Sequence, residues 1–199
     1  MAAVVFPEDK DTTYYFVDWA EQGELVLTLA KKILAKEHHT FDRLVALATG
    51  GLSMSRALKD YVGIPKLSSV HISFYRGIGE TNEMPVITQS IPANISGETV
   101  LIFDDKNDSG KTVEIAKEYL KLRGAKSCTV ATLWQTPYTK HPSDFFAKET
   151  TDWIIFPDEI RETITLLRDK WQKKGVAGKD IDKRLRDIGF QQKQLDLVA

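Results

Sequence analysis

Residues 100–112 read Val-Leu-Ile-Phe-Asp104-Asp105-Lys-Asn-Asp108-Ser109-Gly110-Lys111-Thr112. An apolar strand ends in two adjacent acids, a third acid follows, and a hydroxyl–Gly–Lys–Thr turn opens a helix. The amides of such a turn, the helix N-terminus behind them and the Ser109 and Thr112 hydroxyls make an anion cradle. Acids beside an anion site repel the anion unless they bind a bridging Mg²⁺ or hydroxyl groups of the same ligand. A phosphorylated sugar meets both conditions, with hydroxyls on Asp104 and Asp105 and phosphate on residues 108–112. Two look-alikes fail. A Walker A loop needs glycine five residues before Gly110, where the chain has Asp105. An EF-hand starting at Asp105 needs glutamate where the chain has Ala116. The structural alternative is a surface turn whose acids only cap the helix.

These groups need elements to position them, and the apolar patterning predicts those elements. Asp18 caps a helix to about Lys36, with Leu25, Leu29 and Ile33 on one face. Leu44–Ala48 is a continuously apolar run, as in a strand buried on both faces. Gly50-Gly51 interrupt it, and a helix follows to Tyr61, ended by Gly63-Ile64-Pro65. Strands are expected at 69–73, 85–89, 99–103, 128–133 and 153–156, and a helix over 112–122. Residues 76–84 read as a polar, Gly-bearing loop. The order is β-α-β…β-α-β, which implies an α/β fold with a mostly parallel central sheet flanked by helices. Ligands bind beyond the carboxyl ends of such strands, where the acid pair falls. A helix over 158–171 and a charged tail follow, the tail bearing a thin stripe of Ile181, Leu185, Ile188 and Phe190.

Composition narrows the class. The 199 residues carry 27 Lys+Arg against 28 Asp+Glu, a net charge of −1, so nothing in the overall balance draws the chain to nucleic acid or an anionic membrane. The 42% hydrophobic content fits a globular protein. The single Cys128 forms neither an internal disulfide nor a Cys-rich zinc site. No apolar run is long enough to span a bilayer, and the first residues lack the basic start of a signal peptide. A cytoplasmic location is the expectation.

The 100–112 segment resembles the phosphoribosyl-pyrophosphate (PRPP) motif of the type I phosphoribosyltransferases: four apolar residues, two acids, two variable residues, an acid or Thr, then Ser/Thr-Gly-x-Thr. Leu44–Ala48 with Thr49-Gly50-Gly51-Leu52 looks like that family's pyrophosphate loop. Trp153-Ile154-Ile155-Phe156-Pro157 looks like the strand carrying the base-stacking aromatic in its xanthine–guanine and related purine branch. The likeness covers about residues 13–160. It implies a small hood over the site, read at Ser73-Phe74-Tyr75 and on to about Glu83; the C-terminal helical tail is extra to it. The expected division is a phosphoribosyltransferase-like domain over 1–160 and a helical extension over 161–199.

The resemblance implies Mg²⁺-dependent transfer of the 5-phosphoribosyl group from PRPP to a purine base (guanine, hypoxanthine or xanthine), as in purine salvage. Asp104 and Asp105 would hold the ribose hydroxyls, directly or through the metal. Asp108, Ser109, Gly110, Lys111 and Thr112 would take the 5-phosphate, and the amides of Thr49, Gly50 and Gly51 would face pyrophosphate. The family's loop there can contain a cis non-proline peptide. Asp108 matches the position of the purine branch's general base near N7, and Trp153 would stack on the base beside the Ile154 backbone. Two departures stand out. Thr49 occupies the place where the loop usually carries Arg or Lys. The Lys that reads the purine O6 is missing: lining up Pro137 puts Thr136 at its position and a one-residue shift puts Gln135 there, with Gln135 as a neutral donor to the base and Trp134 as a second aromatic wall or a core residue. Homodimers or tetramers are common in the family, and the tail's apolar stripe could serve one. The competing readings are a PRPP-sensing regulator that keeps the fold, a transferase for a non-standard base, and a pyrophosphokinase-like fold-mate, for which no ATP-binding segment is evident.

Overall fold

Continuous apolar runs gain most when both sheet faces are covered, and this chain places them at the centre of a parallel sheet. The computed structural model describes residues 3–36, 40–76 and 83–198. In chain order it forms β1 (Val4–Val5), β2 (Thr13–Phe16), α1 (Trp19–Leu34), β3 (Arg43–Ala48), α2 (Leu52–Val62), β4 (Lys66–Arg76) and β5 (Glu83–Gln89). Then follow β6 (Thr99–Asn107), α3 (Lys111–Leu122), β7 (Ser127–Gln135), β8 (Phe145–Glu149), β9 (Trp153–Ile155), α4 (Ile160–Lys173), α5 (Gly178–Ile188) and α6 (Gln192–Asp196). Two compact units result: Gln22–Thr150, and Met1–Glu21 together with Thr151–Ala199.

The larger unit holds a six-stranded sheet in the order β5-β4-β3-β6-β7-β8. Every neighbouring pair is parallel except β4 with β5. This is the mostly parallel sheet flanked by helices that the sequence predicts. One face carries Val45, Leu47, Val70, Val100, Ile102 and Val130, which pack with Val113, Ala116 and Leu120 of α3. The Lys32 ammonium of α1 donates to the Phe146 and Ala147 carbonyls of β8 at 2.7 and 3.1 Å, which ties that helix to the sheet's last strand. The expected hood, Ser73 to about Glu83, is strand at both ends, because β4 runs on to Arg76 and pairs with β5 from Glu83; its remaining residues, 77–82, lie outside the described residues.

The smaller unit pairs β2 with β1 antiparallel and with β9 parallel. Its core joins Phe6, Tyr14 and Phe16 to Ile155, Ile164, Leu167 and Trp171 and to Ile181, Leu185, Ile188 and Phe190 of the tail. The tail's apolar stripe is therefore interior to this unit and not a free face for a second copy. Buried Asp9 accepts hydrogen bonds from Tyr14 Oη and Trp171 Nε1, both at 2.8 Å, and pairs with Lys170 at 3.2 Å and with Lys174. Those donors outweigh its desolvation and hold its carboxyl far below the usual range. The Asp18 cap is present: its Oδ1 accepts from the Glu21 amide at 2.8 Å.

A charged pin fixes the amino-terminal edge of the larger sheet. Buried Arg43 opens β3, Lys66 opens β4, and Glu98 directly precedes β6. Glu98 accepts from Arg43 Nε at 2.6 Å and Nη2 at 3.1 Å and from Lys66 Nζ at 2.6 Å, while Arg43 Nη1 donates to Ser68 Oγ at 2.8 Å. The Arg43 guanidinium first, and Lys66 after it, pull the Glu98 carboxyl down to about 2 from its ordinary 4.5. Because the folded chain binds this proton more weakly than the unfolded chain, the contribution is complete above about pH 4.5 and fades as pH falls toward 2. Glu98→Gln, which leaves Arg43 buried without its counter-charge, is expected to lower stability by roughly 3 kcal/mol at neutral pH. Denaturant titrations of both proteins across pH 7 to pH 3 check this: the gap should narrow below about pH 4.5.

Candidate active site

The carboxyl ends of β3 and β6 carry most of the residues singled out above. β6 runs four residues past Phe103, because its backbone ladder continues onto β7 through Lys106↔Trp134 and Asn107↔Gln135. Asp104 and Asp105 therefore sit in the last part of a strand and are held by a rigid sheet. The Asp105 amide donates to Asp104 Oδ1 at 3.0 Å, and the Lys106 amide to Asp105 Oδ1 at 2.6 Å. Burial, and then the neighbouring Asp105 charge, push the Asp104 carboxyl well above the usual carboxylate range, against the pull of the Asp105 and Gly51 amides.

The loop after β3 lies directly on this acid pair. A Cβ on Gly50 would meet Asp105 Oδ2 and would stand 2.6 Å from Cγ and 2.7 Å from Oδ1. A Cβ on Gly51 would stand 2.5 Å from the Phe103 carbonyl oxygen and 2.8 Å from that of Leu47. The peptide between Ala48 and Thr49 is cis. The Gly51 amide donates to Leu47 O at 2.8 Å, so it is engaged within the chain instead of being turned toward a ligand. What Gly51 gives the site is the missing Cβ that lets two backbones meet.

Past the acids, Asp108-Ser109-Gly110 turns into α3. Gly110 takes φ +87°, a left-handed conformation that suits glycine, and a Cβ there would stand 2.7 Å from the His141 amide nitrogen. The N-cap residue Gly110 has no side chain, and the one side-chain bond at the start of α3 is a long one, from the Lys111 amide to Ser109 Oγ at 3.4 Å, which leaves the other first-turn amides and the positive dipole end for an anion. Lys111 is exposed and Thr112 half-buried beside it.

The chain that leaves β7 braces this turn from the side. Thr136 is buried; its Oγ1 donates to the Asp108 carbonyl at 2.7 Å and its amide to Asn107 O at 3.0 Å. Tyr138 Oη donates to Asp108 Oδ1 at 3.1 Å. Asn107 Nδ2 donates to His141 O at 2.8 Å and to Ser143 Oγ at 3.1 Å. Trp134 and Gln135, expected near a base, are 1% and 5% exposed inside the larger unit. The Lys148 ammonium lies 4.8 Å from the Trp134 ring centre, and Gln135 Oε1 accepts from the Ser143 amide at 2.7 Å. Both side chains serve the interior because they stand in the sheet's β7 and not beyond its end. Trp153 and Ile154 belong to the smaller unit. There Trp153 is 37% exposed, with Tyr14 stacked at 5.9 Å (29° between planes) and the Lys170 ammonium 5.4 Å from its ring centre. Ile154 is buried in β9.

Tyr138, Thr136 and Asn107 are site neighbours that the sequence reading did not bring together. Pro137, which fixes a turn right after β7, was the available signal; the contact across to Asp108 was not. Among the described residues no group of three or more His, Cys, Asp or Glu side chains is placed to hold a metal ion. The donor set at the acid pair is two adjacent hard oxygen ligands. That fits Mg²⁺, which usually takes one or two carboxylates and completes its shell with water and substrate phosphate.

Comparisons with known proteins agree on one family. The sequence model of the phosphoribosyl transferase domain matches residues 17–163. The xanthine-guanine phosphoribosyltransferase of Gluconobacter oxydans is 31% identical over 144 residues, covering 72% of this chain and 83% of its own. The hypoxanthine phosphoribosyltransferase of Haemophilus influenzae is 29% identical over 121 residues, 59% of this chain and 64% of its own. The crystal structure of a purine phosphoribosyltransferase from Pyrococcus horikoshii superposes with a TM-score of 0.65 at 31% identity, covering 72% of this chain and 92% of the other.

The two loop glycines make different demands, and substitution separates them. Gly51→Ala meets backbone carbonyls that have no room to move and is expected to cost about 1–3 kcal/mol of stability, seen as a lower melting temperature. Gly50→Ala meets a side chain that can rotate away; the expected melting temperature is closer to that of the native chain, with Asp105 displaced in the variant's crystal structure.

Proposed function

The chain belongs to the phosphoribosyl transferase family, and from that premise we propose that it transfers the 5-phosphoribosyl group of PRPP to a 6-oxopurine, releasing pyrophosphate and a nucleoside monophosphate. The observation that carries this reading is the contact of Gly50 with Asp105. It puts a glycine loop against the acid pair, a few residues before the turn that opens α3, which suits a ligand bearing a diphosphate, a diol and a phosphate. Asp104 and Asp105 hold the ribose hydroxyls. The cradle of Asp108 to Thr112 takes the 5-phosphate, and the amides of Thr49 and Gly50 take the leaving pyrophosphate. Asp104 and Asp105 would also hold Mg²⁺, which supplies positive charge to the departing diphosphate when bound. That need is acute here, because Thr49 brings no charge of its own.

Bond breaking at the ribose C1 leaves an oxocarbenium-like centre, so the site's work is orientation and charge placement. Asp108 accepts the proton at the purine N7 while N9 attacks. The family resemblance, and not a placement of the two units, assigns Trp153 and the Ile154 main chain to the base. Thr136 stands near the usual O6-reading position and gives its hydroxyl to the Asp108 backbone, so no cation is assigned to O6. That leaves guanine, hypoxanthine and xanthine for the assay to separate. It also favours, as a second reading, a chain that binds PRPP but turns over a non-standard base or none.

The test is incubation with PRPP, Mg²⁺ and a panel of purines and pyrimidines, reading nucleoside monophosphate by mass. Product from a 6-oxopurine, reduced in Asp108→Asn, is the expected result; tight PRPP binding without product from any base supports the second reading. Asp104→Ala with Asp105→Ala should abolish PRPP binding by calorimetry, and unaltered binding would refute the site. Trp153→Ala should raise the KM for the base by an amount equivalent to about 1–3 kcal/mol, the range of one base stack.

A further inference from the structure

We propose that Tyr138 is a positioning residue for Asp108, a role that rests on the assignment of Asp108 as the proton acceptor. Asp108 stands on an exposed turn, and a free carboxylate there samples a broad range of side-chain rotations. Among the described residues, one side chain holds its carboxylate: Tyr138 Oη donates to Oδ1 at 3.1 Å. That bond makes the two carboxylate oxygens inequivalent, anchoring Oδ1 and leaving Oδ2 to meet a ligand.

The same three-residue segment also grips the Asp108 main chain. Thr136 Oγ1 donates to the Asp108 carbonyl at 2.7 Å, and its amide donates to Asn107 O at 3.0 Å. Between Thr136 and Tyr138, Pro137 fixes one backbone torsion, so both donors come from a stiff support rooted in β7. A turn that only needed bracing would be served by the buried Thr136 bonds. The Tyr138 bond adds little to stability, because the ring is 61% exposed. What it adds is direction to one carboxylate. Partial desolvation of the hydroxyl where it meets Asp108, and then the charge of Asp108 and the hydrogen bond to it, push the Tyr138 phenol up, so it stays a donor through neutral pH.

The chain thus has a tyrosine hydroxyl on its proton acceptor and a threonine hydroxyl on that residue's backbone, in the stretch where the family's purine branch carries an O6-reading lysine. Orientation of this kind acts on the chemical step and not on ground-state affinity for the sugar phosphate.

The experiment is a double-substitution cycle on the full chain with PRPP, Mg²⁺ and the best 6-oxopurine of the panel. Tyr138→Phe, which removes only the hydroxyl, should lower kcat roughly tenfold, a part of the ~10²–10⁴ that a positioned acid or base contributes. Its KM for PRPP should stay within about twofold of the native chain. In the Asp108→Asn background the same change should lower kcat by less than about twofold, because the hydroxyl acts through the missing carboxylate. Unchanged kcat in Tyr138→Phe overturns the proposal, and so does an equal proportional loss in both backgrounds or a loss confined to the KM for PRPP. If the native chain makes no product with any base, the transferase reading fails and this proposal fails with it. Product from the native chain with kcat unaltered in Tyr138→Phe removes this proposal alone.

Discussion

Where β3 ends beside β6, two stretches of backbone approach so closely that no side chain fits between them. Gly51 lies against the carbonyls of Phe103 and Leu47, and Gly50 lies against the Asp105 carboxylate. Much of the larger unit follows from keeping that contact. The strands must be parallel neighbours so that both loops leave at the same edge. They must also be anchored from the far side. The Arg43–Glu98–Lys66 cluster does this by joining the starts of three central strands through charge-assisted bonds, buried between Arg43 and Glu98 and half-exposed at Lys66. A shift of β6 along β3 would break the charged cluster at one edge and open the glycine contact at the other.

The acids at the active edge illustrate a general trade. Two carboxylates side by side and partly buried are costly for an isolated domain, and the elevated Asp104 carboxyl expresses that cost. Amides of Asp105, Lys106 and Gly51 offset part of it. Positive charge or hydroxyl groups from a ligand would offset the rest, so the cost is retained where binding can use it. The smaller unit shows the opposite treatment of a buried acid: Asp9 is surrounded by four donors from β2 and α4 and its following turn, which makes it a structural hub.

Long apolar runs and strong punctuation were legible in the sequence. Leu44–Ala48 and Thr99–Phe103 predicted two central strands, Gly63 ended α2, and Asp18 capped α1. Short elements without their own pattern were not: Val4–Val5, Thr13–Phe16 and Phe145–Glu149 become strands because a partner strand is available, not because their residues alternate. The length of β6 was hidden for a related reason. Its last residues are charged and polar, and backbone pairing with β7, not hydrophobicity, carries them.

By itself the sequence determined the chemical inventory: an apolar strand running into two acids, a third acid, a phosphate-sized turn and a helix start follow one another along the chain, so neighbours in sequence are neighbours in space. The stripe of Ile181, Leu185 and Ile188 was equally visible as an amphipathic pattern. Tertiary structure alone decided what that stripe covers, because its partners Phe6, Tyr14 and Phe16 come from the other end of the chain. It also decided that Trp134 and Gln135 face inward, that the Gly51 amide turns back on Leu47, and that Thr136 and Tyr138 reach Asp108. Contacts between segments so far apart depend on strand order and register, and no local pattern of residues encodes those distances.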